Sequence, residues 1–325
     1  MVVHSLQPQV ITSVPIIDLS CKRSHVSDLI VKACEEYGFF KIINHGVSKD
    51  IVSRMEQEGL DFFAKQVLEK QKIGPPDPLG YGVKDIGFNG DVGELEYLLL
   101  HTSPEYVSEM STFISNDPKK FSSILNDYTK AMRELACEIL DLMAEGLRVH
   151  DRSFFSSLIK AVDSDTLVRF NHYPSCKDMY HPRHSNRIGF GAHSDPQILT
   201  LLRSNDVEGL QICMDDGVWV PIQPDPNAFC VNVGDTLQAL TNGRFGSVRH
   251  RVIANSLKPR MSMLYFAGPS LNTSISPPPE LVTSLSPCLY RPFTWAEYKK
   301  TTYSLSLAES RLDLFRSHKQ NNVFA

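Results

Sequence analysis

The stretch GFGAHSDPQILTLL (residues 189–202) decides how this chain is read. It is built from strand formers, yet His193 and Asp195 stand where a strand would bury apolar side chains. In a strand, residues i and i+2 point to the same face. The two side chains therefore project together, as a pair of potential metal ligands. An exposed polar face, or a turn ahead of Pro196, would explain the same triplet. H-x-D is too short to separate these alternatives by itself.

A chain of 325 residues is long enough for one large or two modest domains. With 42% hydrophobic and 22% charged residues, it can bury a sizeable core. A net charge of −4 gives no reason to expect nucleic acid or an anionic membrane as partner. No apolar run approaches the roughly 20 residues of a bilayer span. The opening MVVHSLQPQV lacks the basic and apolar regions of a signal peptide. Cysteines at 21, 34, 137, 176, 213, 230 and 288 form no C-x-x-C pair, which argues against a disulfide framework or a cysteine zinc site. Reduced thiols point to the cytoplasm, with the nucleus left open. The sequence is silent on oligomeric state.

SVPIIDLS (13–20) reads as an early strand. SDLIVKACEEYG (27–38) predicts a helix with Ser27 as cap, Leu29, Ala33 and Tyr37 on one face, and Gly38 at C′. FFKII (39–43) follows as a strand, and residues 48 to 66 as a second helix with Ile51, Met55, Phe62 and Phe63 on one side. The Gly-rich segment 80–100 reads as loop and short strand. Asp117 and Pro118 suit the N-cap and N1 positions of the longest helix, whose apolar period from Phe121 to Leu142 lasts to Gly146. A short helix is expected at 151–160. From residue 166 the texture changes to short β-rich runs, among them TLVRFNHY, FCVNV, TLQALT, SVRHRVI and MSMLYFAG. Such spacing suggests an all-β sandwich or barrel. TWAE (294–297) is a capping box that opens a closing helix. The chain thus divides into an N-terminal region (1–110), a long helix and connector (111–165), a barrel (166–270) and a C-terminal extension with a helix (271–325). The fold class is α+β, a mostly helical N-terminal region packed on a C-terminal β-barrel.

The third candidate ligand is His250 in SVRHRVI, where Val248, His250 and Val252 share one strand face. A lone imidazole there is ordinarily a hydrogen-bonded core group. With His193 and Asp195 it completes a set of two histidines and one carboxylate, which covers one face of an octahedral metal and leaves positions open, as in non-haem Fe(II) oxygenases. Arg260 and Ser262 share another strand face, continued by Leu264 and Phe266. A buried guanidinium needs an anion, and its planar fork fits a carboxylate. That anion could be a protein side chain or a dicarboxylate co-substrate, to which Tyr173 in NHYP could add a phenolic hydrogen bond.

H-x-D, 54 residues, H, nine residues and R-x-S, with N-x-Y-P upstream, together resemble the plant 2-oxoglutarate- and Fe(II)-dependent dioxygenases. EYGFFKIINHGV (36–47) resembles the same family's N-terminal region. The resemblance implies a distorted double-stranded β-helix, or jelly roll. It implies Fe(II) on His193, Asp195 and His250, and 2-oxoglutarate as co-substrate on Arg260, Ser262 and Tyr173. The chemistry implied is consumption of O2 and 2-oxoglutarate, release of succinate and CO2, and hydroxylation of a small molecule. His45 reads as structural, and the cluster of His172, His181 and His184 as part of a loop.

Segments 85–100 and 194–212 resemble the gibberellin 2-oxidases, and the first resembles the class acting on C19 gibberellins. A gibberellin is a rigid apolar skeleton with a carboxylate, so its pocket should be apolar with a cation or strong donors at one end. Tyr81, Lys84 and Tyr97 are the candidate substrate contacts. Lys299 and Lys300 are also considered, with surface solvation their ordinary role. Leu98 and Leu100 are candidate walls, with core packing the ordinary alternative. Other plant dioxygenases of hormone or specialised metabolism, including gibberellin 3- and 20-oxidases and flavonoid or ascorbate-using oxygenases, form the second reading. A barrel-based ligand receptor without catalysis is the third, disfavoured by the intact triad.

Overall fold

The computed structural model describes residues 13–86, 91–175, 187–307 and 309–317. The N-terminal region supplies β1 (Ile16–Asp18), α1 (Arg23–Glu36), β2 (Phe39–Ile43), α2 (Lys49–Phe63), α3 (Val67–Lys70), β3 (Gly80–Ile86), β4 (Asp91–His101) and α4 (Pro104–Ile114). The long helix α5 (Pro118–Gly146) and the short α6 (Phe154–Lys160) lead to the strand-rich half. That half contains β5 (Leu167–Tyr173), β6 (Ile188–His193), β7 (Leu199–Ser204), β8 (Leu210–Cys213), β9 (Trp219–Pro221) and β10 (Phe229–Val233). It continues with α7 (Asp235–Leu240), β11 (His250–Ile253), β12 (Arg260–Ala267), β13 (Ser274–Ile275), β14 (Phe293–Thr294) and α8 (Trp295–Ser304).

Among the described residues, one sheet has eight strands in the order β1-β2-β10-β7-β12-β5-β4-β3, and a smaller one has the order β6-β11-β8-β9. Strands from the first hundred residues therefore complete the same sheet as β5, β7, β10 and β12. Alternation divides the large sheet into two faces. Leu98, Leu100, Val168, Phe170, Met261, Met263 and Tyr265 join the cluster that includes the buried sides of α1, α2, α4 and α5. Leu95, Tyr97, Leu99, Leu167, Tyr173, Leu264 and Phe266 face the other way, into a second cluster shared with Phe190, Leu210, Ile212 and Val252 of the small sheet. The functional cavity lies in that second space.

The long helix forms as its sequence predicts. Asp117 accepts from the Lys120 amide at 3.1 Å, Pro118 occupies the first turn, and the whole apolar series from Phe121 to Leu142 is buried. Thr294 likewise accepts from the Glu297 amide at 3.2 Å and caps α8. Gly38 takes φ +60° beyond the end of α1, and its amide reaches the Ala33 carbonyl, as a C′ glycine should.

Four local expectations are corrected. Helix α1 begins at Arg23, and Ser27 lies inside it, donating to the Leu142 carbonyl of α5 at 2.8 Å. A hydroxyl that faces a neighbouring helix serves that contact better than a cap. The buried stripe of α1 runs through Val26, Ile30 and Cys34, leaving Leu29 at the surface. The Gly-rich segment, read as loop and short strand, is more regular than expected: β3 and β4 pair antiparallel, and β4 runs eleven residues. One of its glycines is needed by packing, since a Cβ on Gly82 would sit 2.4 Å from the Tyr97 ring. TLQALT, read as strand, is helix α7: the Asp235 and Thr236 amides bond back to the Asp195 and Pro196 carbonyls, which turns the chain out of the sheet.

His172 is placed in β5, and it stacks on Phe63 while its Nδ1 lies 2.8 Å from Glu96. His181 and His184 lie outside the described residues. Glu96 also accepts from Lys70 at 2.5 Å and from Tyr81 at 2.6 Å, so one half-buried carboxylate joins β3, β4, β5 and α3. Burial opposes its ionisation, but the bonds from His172, Lys70 and Tyr81 prevail and hold it below the usual 4.5. Such a group stabilises the fold above its unfolded pKa, and the contribution is lost as pH falls through the folded value. Glu96→Gln should therefore lower stability by about 3 kcal/mol at neutral pH by leaving Lys70 buried without an anion. It should also flatten the loss of stability below pH 4.5. Denaturant unfolding of both proteins across the acid range would reveal this, and a variant as stable and as acid-sensitive as the original would refute it.

Candidate active site

Strands β6 and β11 pair so that His250 stands directly opposite His193. Their rings lie 4.3 Å apart. β6 ends at His193, and Asp195 belongs to the loop that follows, yet it still converges with them. Its Oδ1 is 3.7 Å from His193 Nε2 and 3.6 Å from His250 Nε2. The shared strand face expected of H-x-D thus covers only the first residue; the loop, tied to α7 through the Asp195 carbonyl, brings in the second. All three side chains are buried, and one ligand atom from each lies within 4.8 Å of the others.

The surrounding groups orient this triad. His193 Nδ1 lies 2.8 Å from the Gly191 carbonyl, and His250 Nδ1 lies 3.3 Å from that of Val248. Carbonyls accept only, so each Nδ1 carries its proton and each Nε2 keeps a lone pair toward the centre. Burial, reinforced by the neighbouring His250, holds the His193 imidazole well below its ordinary 6.5, hence neutral and able to ligate. Asp195 Oδ2 accepts from Thr200 Oγ1 at 2.7 Å and from Asn232 Nδ2 at 3.3 Å. That leaves Oδ1 for the centre. Phe190 stacks on His193 at 4.2 Å.

Arg260, Ser262 and Tyr173 also meet. Arg260 pairs in register with Tyr173 on β5, and its guanidinium lies 5.4 Å from the Tyr173 ring. Arg260 is 1% exposed, yet its Nε and Nη1 have no hydrogen-bond partner. The buried Tyr173 hydroxyl, near Ser262 and Asn171, has no partner of hydrogen-bonding geometry either. An unpaired guanidinium edge beside an unpaired phenol is a cradle for a carboxylate.

Between the two sheets lies a cavity of about 200 Å³, lined by the triad and by a mostly apolar wall that includes Leu99, Phe190, Leu210, Val252, Leu264 and Phe266. Tyr97 reaches this cavity. Tyr81 and Lys84 do not: Tyr81 shares the helix-side face with Leu98, its cross-strand partner, and Lys84 is exposed at φ +62°. Leu98 and Leu100 are helix-side core for the same reason of alternation. Lys299 lines the cavity and is bonded to Asp165 at 2.7 and 2.8 Å, while Lys300 is exposed. His45 packs edge-on to Phe229, as a structural residue should. The sequence reading missed Thr200, Asn232, Arg169 and Arg311. Arg169 was within reach, since it shares the period of Asn171 and Tyr173 on β5.

Known proteins share the fold. The model of the 2OG-Fe(II) oxygenase superfamily matches residues 164–269, and that of the N-terminal region of the non-haem dioxygenase in morphine synthesis matches residues 14–98. The crystal structure of JOX2 in complex with 2OG, Fe and JA superposes with a TM-score of 0.83 at 30% identity, covering 94% of this chain and 90% of that one. That of the dioxygenase for auxin oxidation in rice gives 0.78 at 25% identity, covering 94% and 100%. These likenesses and the triad define a non-haem iron dioxygenase with a double-stranded β-helix core, for which Fe(II) and 2-oxoglutarate are cofactor and co-substrate.

Gibberellin 2-beta-dioxygenase 4 of Arabidopsis thaliana is 53% identical over 316 residues, covering 94% of this chain and 95% of that protein. Gibberellin 2-beta-dioxygenase 2 of Oryza sativa subsp. japonica is 50% identical over 321 residues, covering 94% and 87%. The chain belongs to the gibberellin 2-beta-dioxygenase family of the 2OG-Fe(II) oxygenases.

Thr200→Val keeps the side-chain shape and removes the donor to Asp195. Affinity for Fe(II) is expected to fall roughly ten- to a hundredfold. Anaerobic titration with Fe(II) or Co(II) measures it, and unchanged affinity in the folded variant would separate Thr200 from the metal.

Proposed function

We propose that this enzyme hydroxylates carbon 2 of C19 gibberellins and so inactivates the hormone. The observation that carries the proposal is the half-identity to gibberellin 2-beta-dioxygenases over nearly the full chain, joined to an intact triad facing an apolar cavity. Fe(II) with 2-oxoglutarate supplies the oxidation when bound: one atom of O2 enters succinate, the other becomes the substrate's hydroxyl, and CO2 leaves.

The chain's residues take these parts. His193 and His250 offer their Nε2 atoms, and Asp195 offers Oδ1, as the iron ligands. The free edge of Arg260, with the hydroxyls of Tyr173 and Ser262, holds the far carboxylate of 2-oxoglutarate. The orphaned polar atoms of Arg260 and Tyr173 fit that group. The apolar wall orients the substrate carbon and keeps water from the centre. Six cysteines are free among the described residues, which supports a cytosolic enzyme, with the nucleus left open. No helix among the described residues is long and apolar enough to cross a membrane.

The decisive test is incubation with Fe(II), 2-oxoglutarate and a panel of gibberellins, with products identified by mass and position. One added oxygen at carbon 2 of a C19 gibberellin, with succinate formed in step, is the expected result. Oxidation at carbon 3 or carbon 20 instead would leave the dioxygenase and overturn the 2-oxidation. Oxidation of an unrelated plant metabolite with no gibberellin touched would move the enzyme to a sister activity.

His193→Ala, Asp195→Ala and His250→Ala should each abolish turnover while the chain stays folded, since the two core clusters do not depend on these side chains. Near-normal activity in any one of them, with Fe(II) supplied, would overturn the ligand assignment.

Arg260→Lys keeps the charge and loses the planar fork. The requirement for 2-oxoglutarate should rise roughly ten- to a hundredfold, the value of one charge-assisted hydrogen bond. The KM for gibberellin should change far less. A variant with unaltered 2-oxoglutarate dependence would show that Arg260 serves another anion.

A further inference from the structure

Three cationic side chains line the cavity among its described residues, Arg169, Lys299 and Arg311. Two of them are already matched to carboxylates. Lys299 is held by both oxygens of Asp165. Arg311 donates to the Ser194 carbonyl and lies 3.6 Å from Asp235. Arg169 has no carboxylate within ion-pair distance among the described residues. Its Nε donates to Asn171 Oδ1 at 2.7 Å. Its guanidinium carbon lies 4.1 Å from the centre of the Tyr97 ring and 5.0 Å from that of Phe190. Those rings stabilise the cation over its faces. Neither satisfies its edge, and Nη2 is buried without a hydrogen-bond partner. A half-buried cation whose Nη2 donor is buried and free calls for an anion.

That anion is not the far carboxylate of 2-oxoglutarate. Arg169 stands four residues along β5 from Tyr173, so their Cα atoms lie about 14 Å apart at roughly 3.4 Å per residue, with the Arg169 side chain turned toward Asn171 between them. The far carboxylate of 2-oxoglutarate has its own cradle in the orphaned edge of Arg260 and the Tyr173 hydroxyl, which leaves the free edge of Arg169 for another anion. The place of Arg169 is instead beside the centre: Phe190, which it touches, stacks directly on His193.

We propose that Arg169 binds the carboxylate of the prime substrate through its Nη2 edge, with Asn171, Tyr97 and Phe190 fixing the guanidinium, and so sets which substrate carbon faces the metal. This assignment rests on the reading of the substrate as an apolar carboxylic acid of the gibberellin class. It makes Arg169 the specificity-determining cation of the pocket and releases Lys84, Lys299 and Lys300 from that role.

The test compares a gibberellin acid with its methyl ester, which keeps the skeleton and removes the charge. The unsubstituted enzyme should show a KM for the acid roughly ten- to a hundredfold below that for the ester, as one charge-assisted hydrogen bond predicts. Arg169→Gln should raise the KM for the acid by the same factor, leaving the KM for the ester and for 2-oxoglutarate unchanged. Continued oxidation of the ester is the control that the variant is folded. Binding gives an independent readout: the acid should raise the melting temperature of the unsubstituted protein and not that of Arg169→Gln.

Equal use of acid and ester by the unsubstituted enzyme would overturn the proposal without any variant. So would an acid preference that survives in Arg169→Gln, or a loss of acid and ester turnover together. If no gibberellin is oxidised but another apolar carboxylic acid is, the gibberellin reading falls. The same acid-to-ester ratio, measured on that acid, then decides Arg169.

Discussion

Each strand of the eight-stranded sheet sends alternate side chains to opposite faces, and the rest of the molecule depends on that period of two. On β5, Val168 and Phe170 meet the helices, while Arg169, Asn171 and Tyr173 face the cavity. On β12 the same division puts Met261, Met263 and Tyr265 in the helical core and Ser262, Leu264 and Phe266 inside. A slip of one residue in any of these ladders would exchange the two sets, placing guanidinium groups among helices and methionines against the metal site. Two apolar clusters, one on each side, therefore hold the register that the chemistry needs.

Within the cavity, polar groups are kept in place by bonds that leave one reactive atom free. Asp195 illustrates the rule: Thr200 and Asn232 occupy one oxygen, and the other is left toward His193 and His250. The histidines follow it too, each giving one ring nitrogen to a backbone carbonyl. The loop between the ligands is braced from the far end of the chain, where Arg311 donates to the Ser194 carbonyl and Tyr298 donates to Asp235 at 2.7 Å. Distant segments thus meet behind a site in which only His193 and Asp195 are close in sequence.

Burial of charge follows a different logic on the two faces. Toward the helices, Lys70 and Glu96 are matched within the protein, and the pair stabilises the fold. On the opposite face, Arg260 and the cavity-lining Arg169 keep unmatched edges, which would be costly in a merely structural core. Their positions at separated points of one sheet face suit two different anions. The fold tolerates both because its stability resides mainly in the apolar clusters around them.

Much of the site was legible in the sequence. His193, Asp195, His250, Arg260, Ser262 and Tyr173 are recognisable because residue type and spacing carry the information and both are local, although Asp195 reaches the centre from a loop and not by strand alternation. The long helix and its Asp117 cap were legible for the same reason. The hairpin at 80–101 was obscured by its glycines, whose purpose appears only when the Tyr97 ring fills the space beside Gly82. Helix α7 was obscured because bonds to Asp195 and Pro196, some 40 residues earlier, turn TLQALT away from a strand. Tyr81 and Lys84 were candidate substrate contacts, although cross-strand register turns Tyr81 to the helix side and an irregularity between Val83 and Asp85 leaves Lys84 exposed. The sequence by itself determined the ligand set and the class of chemistry, since these need only particular side chains at particular spacings. Tertiary structure alone decided which cations remain unmatched, which tyrosine lines the cavity, and which groups orient Asp195, because each depends on the register between strands that are far apart in the chain.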